Sequence, residues 1–415
     1  MNRLTTCQPI GTSAPTVTRR IFLLLFCALW LTPVFRLQAQ LIYTNRHNSI
    51  SITGFSGNVV DLVIPDTINA LPVAAIETGA FRGRQELKSV TLPNSVTSIG
   101  GHAFDGCTGL KSVTLPDNVT SVGDWAFLKC TSLTNVVIGN SVTNFGSFTF
   151  YNCSALSRVT IGNRVTSIGE LAFYACNSLA SVTIPDSVRN IGYEAFWNCR
   201  SLTNVIIGQG VTSIEESAFF GCTRLNSVSI GNSVTNIGAS AFGACNSLTK
   251  APLPASVRNI GELAFNNCTN LTSVTLPNSV KTIGASAFAG CTRLATVTFE
   301  GNKPPDPSAL FQNASPTVYY LPGTTGWGSV YAGRPALLWN PTASTANPDF
   351  GFKDGALGFN VTGTLGITVI VETSRDLAQT AWIPVSTNTL TGGPSYFTDP
   401  ASTTNANSFY RFRTP

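Results

Sequence analysis

The sequence predicts a repeat solenoid of short parallel strands and short helical turns, followed by a small all-β domain. The main observation is a strict period: LKSVTLPNSVTSIGGHAFDGC, at Leu87–Cys107, recurs every 23 residues until about Thr298. Its phenylalanine returns as Phe104, Phe127, Phe150, Phe173, Phe196, Phe219, Phe242, Phe265 and Phe288, and its cysteine as Cys107, Cys130, Cys153, Cys176, Cys199, Cys222, Cys245, Cys268 and Cys291. A unit of this length cannot bury its own apolar face, so consecutive units must stack around one core.

The apolar positions of one unit predict the cross-section of a coil. Alternate residues of Val90–Leu92 are apolar, which indicates a short strand, and Pro93 follows as a turn. Val96–Ile99 is a second extended segment. In Ala103–Cys107 the apolar residues are spaced as on one face of a helix, so a short helical turn is expected there.

A glycine at position 100 recurs in eight coils, which indicates either a positive φ angle or a close backbone approach. The equivalents of Gly100 are Gly123, Gly146, Gly169, Gly192, Gly238, Gly261 and Gly284. Glu215 replaces the glycine in one coil, so the requirement is strong without being absolute.

These units resemble the BspA-like family of bacterial leucine-rich repeats, whose units read much like LxSVTIPxSVTSIGxxAFxxCxS. The resemblance covers roughly residues 60–300. It implies a curved, right-handed leucine-rich repeat solenoid on a secreted or surface protein. Characterised members of the family are associated with adhesion to proteins and surfaces, although a fold does not by itself transfer a ligand.

Residues 1–39 are predicted to be a secretory signal peptide that is removed on export. Arg19 and Arg20 precede the apolar run Ile21–Val34, and RLQA ends at Ala39. The run is shorter than the roughly 20 residues of a membrane span, so no span is expected after cleavage, and an uncleaved anchor is the alternative. Either general secretion or the twin-arginine route would fit this segment.

The regions around the regular repeats are less periodic. Residues 40–86 are expected to form an N-terminal cap and an irregular first repeat, with about five extra residues at Asn69–Val73. The regular coils occupy 87–299. Residues 300–339 are the expected C-terminal cap, with Val318–Tyr320 as the last strand and Trp327, Tyr331 and Trp339 closing the end.

Residues 340–349 have the composition of a linker, and residues 350–415 alternate apolar and polar side chains as in an all-β domain of five to six strands. The pattern VIVETSRDL…FYRFRTP resembles a C-terminal β module that recurs on secreted bacterial proteins of unlike architecture. That reuse suggests an anchoring, sorting or general contact role.

The composition excludes several functional classes. Charged residues make up only 11% of the chain, which argues against a disordered, coiled-coil or nucleic-acid-binding protein. Residues 1–39 contain four arginines and no acidic residue, so the rest carries 21 basic and 20 acidic residues. A nearly neutral protein has no electrostatic basis for binding nucleic acid or an anionic membrane.

The sequence offers little for catalysis, metal binding or a cofactor. Nine repeat cysteines stack in parallel without CxxC or paired histidines, so we expect buried, reduced thiols rather than disulfides or a zinc array. The two histidines, His47 and His102, have no Ser, Cys or carboxylate placed beside them by the repeat. Carboxylates at variable positions are expected to be solvated, and they are Asp124, Glu170, Glu194, Glu216 and Glu262. A non-catalytic protein is therefore predicted.

The best candidate for a binding surface is an apolar stripe. Large apolar residues follow the repeat phenylalanine in five consecutive coils, and a neighbouring position adds more. The candidate residues are Trp125, Leu128, Phe148, Tyr151, Tyr174, Trp197 and Phe220. The stripe either packs between coils or is exposed as a platform for a protein or glycan.

Three functions remain open from the sequence. The first is an exported or cell-surface scaffold that binds an extracellular protein or mediates adhesion. The second is a carbohydrate or matrix binder, which would use columns of Thr and Ser hydroxyls such as Thr97, Thr120 and Thr143. The third is a structural surface-layer component.

Overall fold

The computed structural model describes residues 19–20, 40–251, 253–345, 350–353, 356–378, 381–404 and 408–414. Apart from Arg19–Arg20, whose backbone pairs with Ile42 and Tyr43, the expected signal peptide at 1–39 lies outside the described residues. Within the described residues, no helix has the length and apolar character needed to cross a membrane.

Residues from the N-terminal hairpin to Ile283 build one long sheet along one side of the solenoid. Its regular strands are only two residues long and pair in parallel at 23-residue steps, so that Ser121 lies beside Ser98 and Val122 beside Ile99. The strands are Arg19–Arg20, Gln40–Arg46, Ser49–Ser56, Thr67–Ile68, Leu71–Ile76, Ser98–Ile99, Ser121–Val122, Asn144–Phe145, Ser167–Ile168, Asn190–Ile191, Ser213–Ile214, Asn236–Ile237, Asn259–Ile260 and Thr282–Ile283.

The second extended side of the coils is divided into three sheets. The first comprises Asp61–Val63, Ser89–Thr91, Ser112–Thr114, Asn135–Val137 and Arg158–Thr160, and the second Ser181–Ile184, Asn204–Ile207 and Ser227–Ser229. The third comprises Lys250–Ala251, Ser273–Leu276, Thr296–Phe299, Thr317–Tyr320, Val330–Tyr331 and Arg334–Leu338. All pairs are parallel except the hairpin of Val330–Tyr331 with Arg334–Leu338.

The core between the two sides repeats the same side chains in every coil. The column of phenylalanines from Phe81 to Phe288 is at most 1% exposed, and neighbouring rings stack with centroids 5.0–5.5 Å apart. Stacked aromatic rings add to the free energy of apolar burial. The period that the sequence shows is therefore the period of the core.

The expected helical turn is wrong, because Ala103–Cys107 forms consecutive tight turns. His102 and Gly106 have φ angles of 54° and 72°, which a right-handed helix does not allow. The amide of Phe104 donates to Ala126 O of the next coil at 2.7 Å, while Cys107 N donates to Phe104 O at 3.1 Å. From His102 to Cys107, three of the six amides bond to the next coil and three bond within the coil. Within the described residues, the only helical segment is the 3₁₀ helix Pro400–Thr404.

Of the two explanations for the recurring glycine, the structure supports close approach. A Cβ atom on Gly100 would lie 2.5 Å from Thr78 N, and one on Gly123 would lie 2.5 Å from Gly101 N. At these glycines the backbone lies so close to the preceding coil that a Cβ atom would fit only if the backbone shifted.

The irregular first repeat contains a hairpin. Thr67–Ile68 pairs antiparallel with Leu71–Pro72, and the two turn residues Asn69 and Ala70 have φ angles of 51° and 63°. Positive φ at both central residues is typical of a two-residue hairpin turn. The turn residues Asn69 and Ala70 are exposed, whereas Val73 at the end of the insertion is buried in the core.

At the other end, aromatic residues cover the last coil. Trp327 lies 4.8 Å from Phe299 and 5.0 Å from Tyr320, and the side chain of Tyr331 is fully buried. The expectation that Val318–Tyr320 is the last strand is wrong, since Arg334–Leu338 pairs with it in parallel.

The small β domain packs directly on this end. It comprises Thr342–Ser344, Gly351–Lys353, Ala356–Thr362 and Ser395–Asp399 in one sheet, and Thr368–Ser374, Ile383–Thr389 and Phe409–Arg413 in a second. Tyr319 of the solenoid is buried in the same cluster as Phe359 and Phe397, and Trp339 packs against Tyr319 at 5.6 Å. Trp339 therefore belongs to this junction.

Part of the expected linker at 340–349 is also ordered against the small domain. Thr342–Ser344 pairs antiparallel with Asn360–Thr362, and Asn340 Oδ1 accepts a hydrogen bond from Thr364 N at 2.8 Å. The polar composition that suggested a linker is equally compatible with an edge strand. Residues 346–349 lie outside the described residues.

Candidate interaction surface

The candidate stripe arises from two positions in the tight turns of each coil. One position is occupied by His102, Trp125 and Phe148, and the other by Tyr151, Tyr174, Trp197 and Phe220. Because coils are in register, equivalent side chains lie one above another at roughly the 4.8 Å spacing of paired strands. The positive φ of the first position, 56° at Trp125, fixes the direction of these side chains.

The structure joins both positions into one continuous row, here called the aromatic ladder. It runs through His102, Trp125, Phe148, Tyr151, Tyr174, Trp197 and Phe220. Consecutive ring centroids are 4.9, 5.6, 5.7, 4.6, 6.2 and 4.3 Å apart. The row crosses from the first position to the second between Phe148 and Tyr151.

All members of the aromatic ladder are half-buried, as is Leu128 beside them. Five of the six ring pairs are stacked, with interplanar angles of 5° for Tyr151–Tyr174 and 12° for Tyr174–Trp197. Ring faces therefore cover each other and ring edges reach solvent. The rings therefore pack between coils and are also partly accessible, and their use as a binding platform stays a prediction.

Each end of the aromatic ladder is defined by a change of residue type. After Phe220 the next coil has Gly243, where a Cβ atom would lie 2.7 Å from Phe220 Cδ2, so the ring lies against bare backbone. At the other end Asp105 takes the position of the aromatic residues. Its carboxylate pairs with Arg82 Nε at 2.9 Å and His102 Nδ1 at 3.0 Å.

This contact corrects the expectation that no carboxylate lies beside a histidine. Residues three apart are neighbours in a tight turn, as they also are on a helix, so the sequence already contained the spacing of this pair, which was missed. The imidazole of His102 also stacks on Trp125, and this membership of the aromatic ladder was missed in the sequence. The signal was present as an aromatic ring 23 residues before Trp125.

Acidic residues border the aromatic ladder on the side of the recurring glycine. Glu170, Tyr193 and Glu216 occupy one position in three consecutive coils, and Glu194 follows Tyr193. A hydrogen bond to the Glu194 carboxylate, with added negative charge from Glu216 and Glu170, raises the pKa of Tyr193 to about 12. Partial burial, with contributions from Tyr151 and Glu194, also raises the pKa of Tyr174. The carboxylates thus lie within electrostatic range of the rings.

The columns of Thr hydroxyls have a structural role in the stack. Thr97 Oγ1 donates to Ala74 O at 3.1 Å, Thr120 Oγ1 to Thr97 O at 3.2 Å, and Thr166 Oγ1 to Thr143 O at 3.1 Å. Each of these hydroxyls thus donates its proton in a hydrogen bond to a backbone carbonyl of the preceding coil. The hydroxyls of these threonines are therefore not free to donate a hydrogen bond to a carbohydrate.

The nine repeat cysteines are buried free thiols, and each one donates a hydrogen bond to a phenylalanine carbonyl of the preceding coil. Cys199 Sγ lies 3.2 Å from Phe173 O, and the other eight distances are 3.0–3.3 Å. Burial raises the pKa of Cys107, Cys199 and Cys291 to about 12. The thiolate needed for metal binding or nucleophilic attack is therefore disfavoured. Across the described part of the chain, no three His, Cys, Asp or Glu residues are grouped to hold a metal.

Several proteins of known structure resemble this chain. A leucine-rich repeat protein of T. pallidum is 33% identical over 50% of this chain and 87% of that chain, with a TM-score of 0.39. A leucine-rich cell surface protein of Faecalibacterium prausnitzii is 29% identical over 70% and 94%, with a TM-score of 0.38. A leucine-rich repeat protein of Bacteroides ovatus is 24% identical over 62% and 92%, with a TM-score of 0.38. No curated protein sequence matches the chain.

The family assignment rests on the repeats themselves. The BspA type leucine rich repeat region matches residues 74–203 and 190–316, with six copies. These stretches cover more than half of the chain and contain the buried phenylalanine and cysteine columns and the whole aromatic ladder. The chain therefore belongs to the BspA-type leucine-rich repeat family.

Proposed function

We propose that this chain is an exported, non-catalytic scaffold of the cell surface whose aromatic ladder binds another protein. The observation that carries the proposal is a continuous, half-exposed row of rings across six coils. Aromatic residues clustered on an accessible surface are typical of protein contact sites. Export is supported by the signal peptide expected at residues 1–39.

The solenoid does not need these rings in order to stack. Later coils have Gly243, Asn266 and Ala289 at the position of Trp197 and Phe220, yet they keep the same backbone pairing and the same buried phenylalanine column. A purely structural ladder would be expected to continue along the whole solenoid. Its restriction to one segment supports a role in recognition.

A protein partner fits the ladder better than a glycan does. Sugars stack by placing C–H groups on the electron-rich face of a ring, and the faces of Tyr174 and Trp197 are covered by their neighbours. Ring edges with apolar character suit the side chains of a protein. The hydroxyl columns add little, because their protons are bonded within the stack.

The test is a parallel screen of the exported protein against an array of extracellular proteins and an array of glycans. Wild-type protein is compared with the double variant Tyr174→Ala/Trp197→Ala and with the milder Trp197→Gln, after each variant is shown to melt cooperatively. We expect protein ligands that both variants lose. Glycan binding instead, or protein ligands retained by both variants, would overturn the proposal.

A further inference from the structure

The aromatic ladder is bordered asymmetrically by charge. On the side of the recurring glycine lie Glu170, Glu194 and Glu216, of which Glu170 and Glu216 are exposed and Glu194 is half-buried. Within the described residues none of these three carboxylates takes part in an ion pair. Asp124 differs from them, because its Oδ1 accepts the Ser147 amide at 2.8 Å and so serves the stack.

The three carboxylates lie along one side of the centre of the aromatic ladder. Glu194 occupies the position that holds Trp125 and Phe148 in earlier coils, so its carboxylate stands in the first column of the ladder itself. Its negative charge contributes to the raised pKa of both Tyr174 and Tyr193. On this side of the centre, the two border positions hold no Lys or Arg from Gly101 to Glu262.

From this charge complementarity, and resting on the proposed function, we infer that the partner is a polypeptide segment with an apolar row flanked by lysine or arginine side chains. The apolar row contacts the ring edges of Tyr151, Tyr174 and Trp197, and the basic side chains pair with Glu170, Glu194 and Glu216. Opposite charges at the rim of an apolar contact favour rapid association and fix the orientation of the partner.

The arrangement also excludes one simpler mode of binding a cation. A lysine or arginine placed over a ring face would gain a cation–π interaction, but the faces of the central rings are occupied by stacking. The carboxylates, rather than the rings, must therefore recognise the positive charge.

The inference can be tested by fluorescence anisotropy with labelled peptides of about twelve residues, long enough in extended form to cross the ladder. One peptide has a central run of leucine and phenylalanine with lysines on both sides of it, and the matched peptide has glutamate in place of lysine. We expect the lysine peptide to bind more tightly than the glutamate peptide and to weaken with added salt.

Three variants separate the contribution of the carboxylates to peptide affinity from that of the aromatic rings. Glu170→Gln/Glu194→Gln/Glu216→Gln should lower affinity for the lysine peptide by about tenfold or more, and Tyr174→Ala/Trp197→Ala should lower it as well. Glu262→Gln is the matched control, because Glu262 is exposed at the same coil position as Glu216 but lies beyond the ladder, and it should bind as wild type.

The outcomes distinguish this inference from the proposed function. If the triple variant binds the lysine peptide as wild type does, or if wild type prefers the glutamate peptide or binds neither, the inference is overturned while protein binding by the ladder is not. If the ladder variant keeps full affinity for the peptide and for its protein ligands, the proposed function fails. A ladder-dependent dimer in analytical ultracentrifugation, without peptide binding, would identify a second copy as the occupant and also overturn the inference.

Discussion

Replacing Glu215 by glycine is predicted to stabilise the protein, although it removes a hydrogen bond. Glu215 stands where eight other coils have glycine, and its Oε1 accepts a hydrogen bond from Ser213 Oγ at 2.7 Å. Ser213 is paired in register with Asn190 of the preceding coil, and Asn190 Oδ1 is buried without a partner. The Ser213 hydroxyl thus donates to Glu215 and is not available to donate to Asn190 Oδ1.

Other coils show how the same pair behaves when glycine is present. Ser167 Oγ donates to Asn144 Oδ1 at 3.1 Å, in the register that relates Ser213 to Asn190. Satisfying a buried acceptor recovers about 1–3 kcal/mol, while the added backbone freedom of glycine costs about 0.5–1 kcal/mol. The net expectation for Glu215→Gly is a gain of about 0.5–2 kcal/mol.

The measurement is chemical denaturation followed by circular dichroism, comparing midpoints at an unchanged m value. Gly169→Ala serves as the opposite control, because its Cβ would lie 2.7 Å from Gly146 O and should destabilise the coil. If Glu215→Gly lowers stability by about 1 kcal/mol or more, the exchange of hydrogen-bond partners is not what distinguishes this coil, and the reasoning is refuted.

Three further predictions concern the ladder, the thiols and the small domain. Tyr174→Ala/Trp197→Ala should lower stability by about 2–4 kcal/mol in melting experiments, less than two fully buried aromatic truncations would; unfolding at ambient temperature would contradict a recognition surface. Thiol titration of the denatured, unreduced protein cleaved after Ala39 should recover nearly all nine repeat cysteines, and recovery of one would mean four disulfides. Glu372 is buried, but its bonds to Arg413 and Arg411 outweigh that burial and lower its pKa. The ion pairs of Glu372 therefore contribute to the free energy of unfolding above a pH of about 4, and this contribution is lost as the pH falls through the lowered pKa. Glu372→Gln should flatten the acid side of a plot of unfolding free energy against pH. An unchanged plot would show that these ion pairs do not cause the pH dependence.

The period and the core columns could be predicted because they depend on burial alone. Every 23rd residue from Phe104 must meet the same environment, so the sequence pattern and the buried column are the same fact. For the recurring glycine the sequence predicted either a positive φ angle or a close backbone approach, and the structure shows the close approach at Gly100. Glu215 shows that even this rule has an exception that one coil can absorb.

The tight turns could not be predicted in the same way. In these turns, two residues of each coil have a positive φ angle. Trp125, Lys129 and Leu171 are examples, and none of these residue types has a particular preference for that conformation. Hydrogen bonds to the next coil impose it, and a pattern of apolar residues at positions i, i+1 and i+4 does not reveal inter-coil bonds. The crossing of the ladder from Phe148 to Tyr151 has the same origin, because it depends on side-chain directions set by those turns.

The same geometry explains how one repeat can hold a rigid core and still vary its surface. Phe196 is fully buried in the phenylalanine column, whereas its chain neighbour Trp197 is half-exposed in the aromatic ladder. The amide of Phe196 bonds to Ala218 O of the next coil at 2.7 Å, while that of Trp197 bonds back to Glu194 O at 3.1 Å. Of two adjacent residues, one therefore packs in the core and the other lies at the surface. The position of Trp197 is occupied by Gly243 in a later coil, where the phenylalanine column remains stacked. A binding surface built in this way is specified by which coils have aromatic and acidic residues, and the solenoid beneath it is the same throughout.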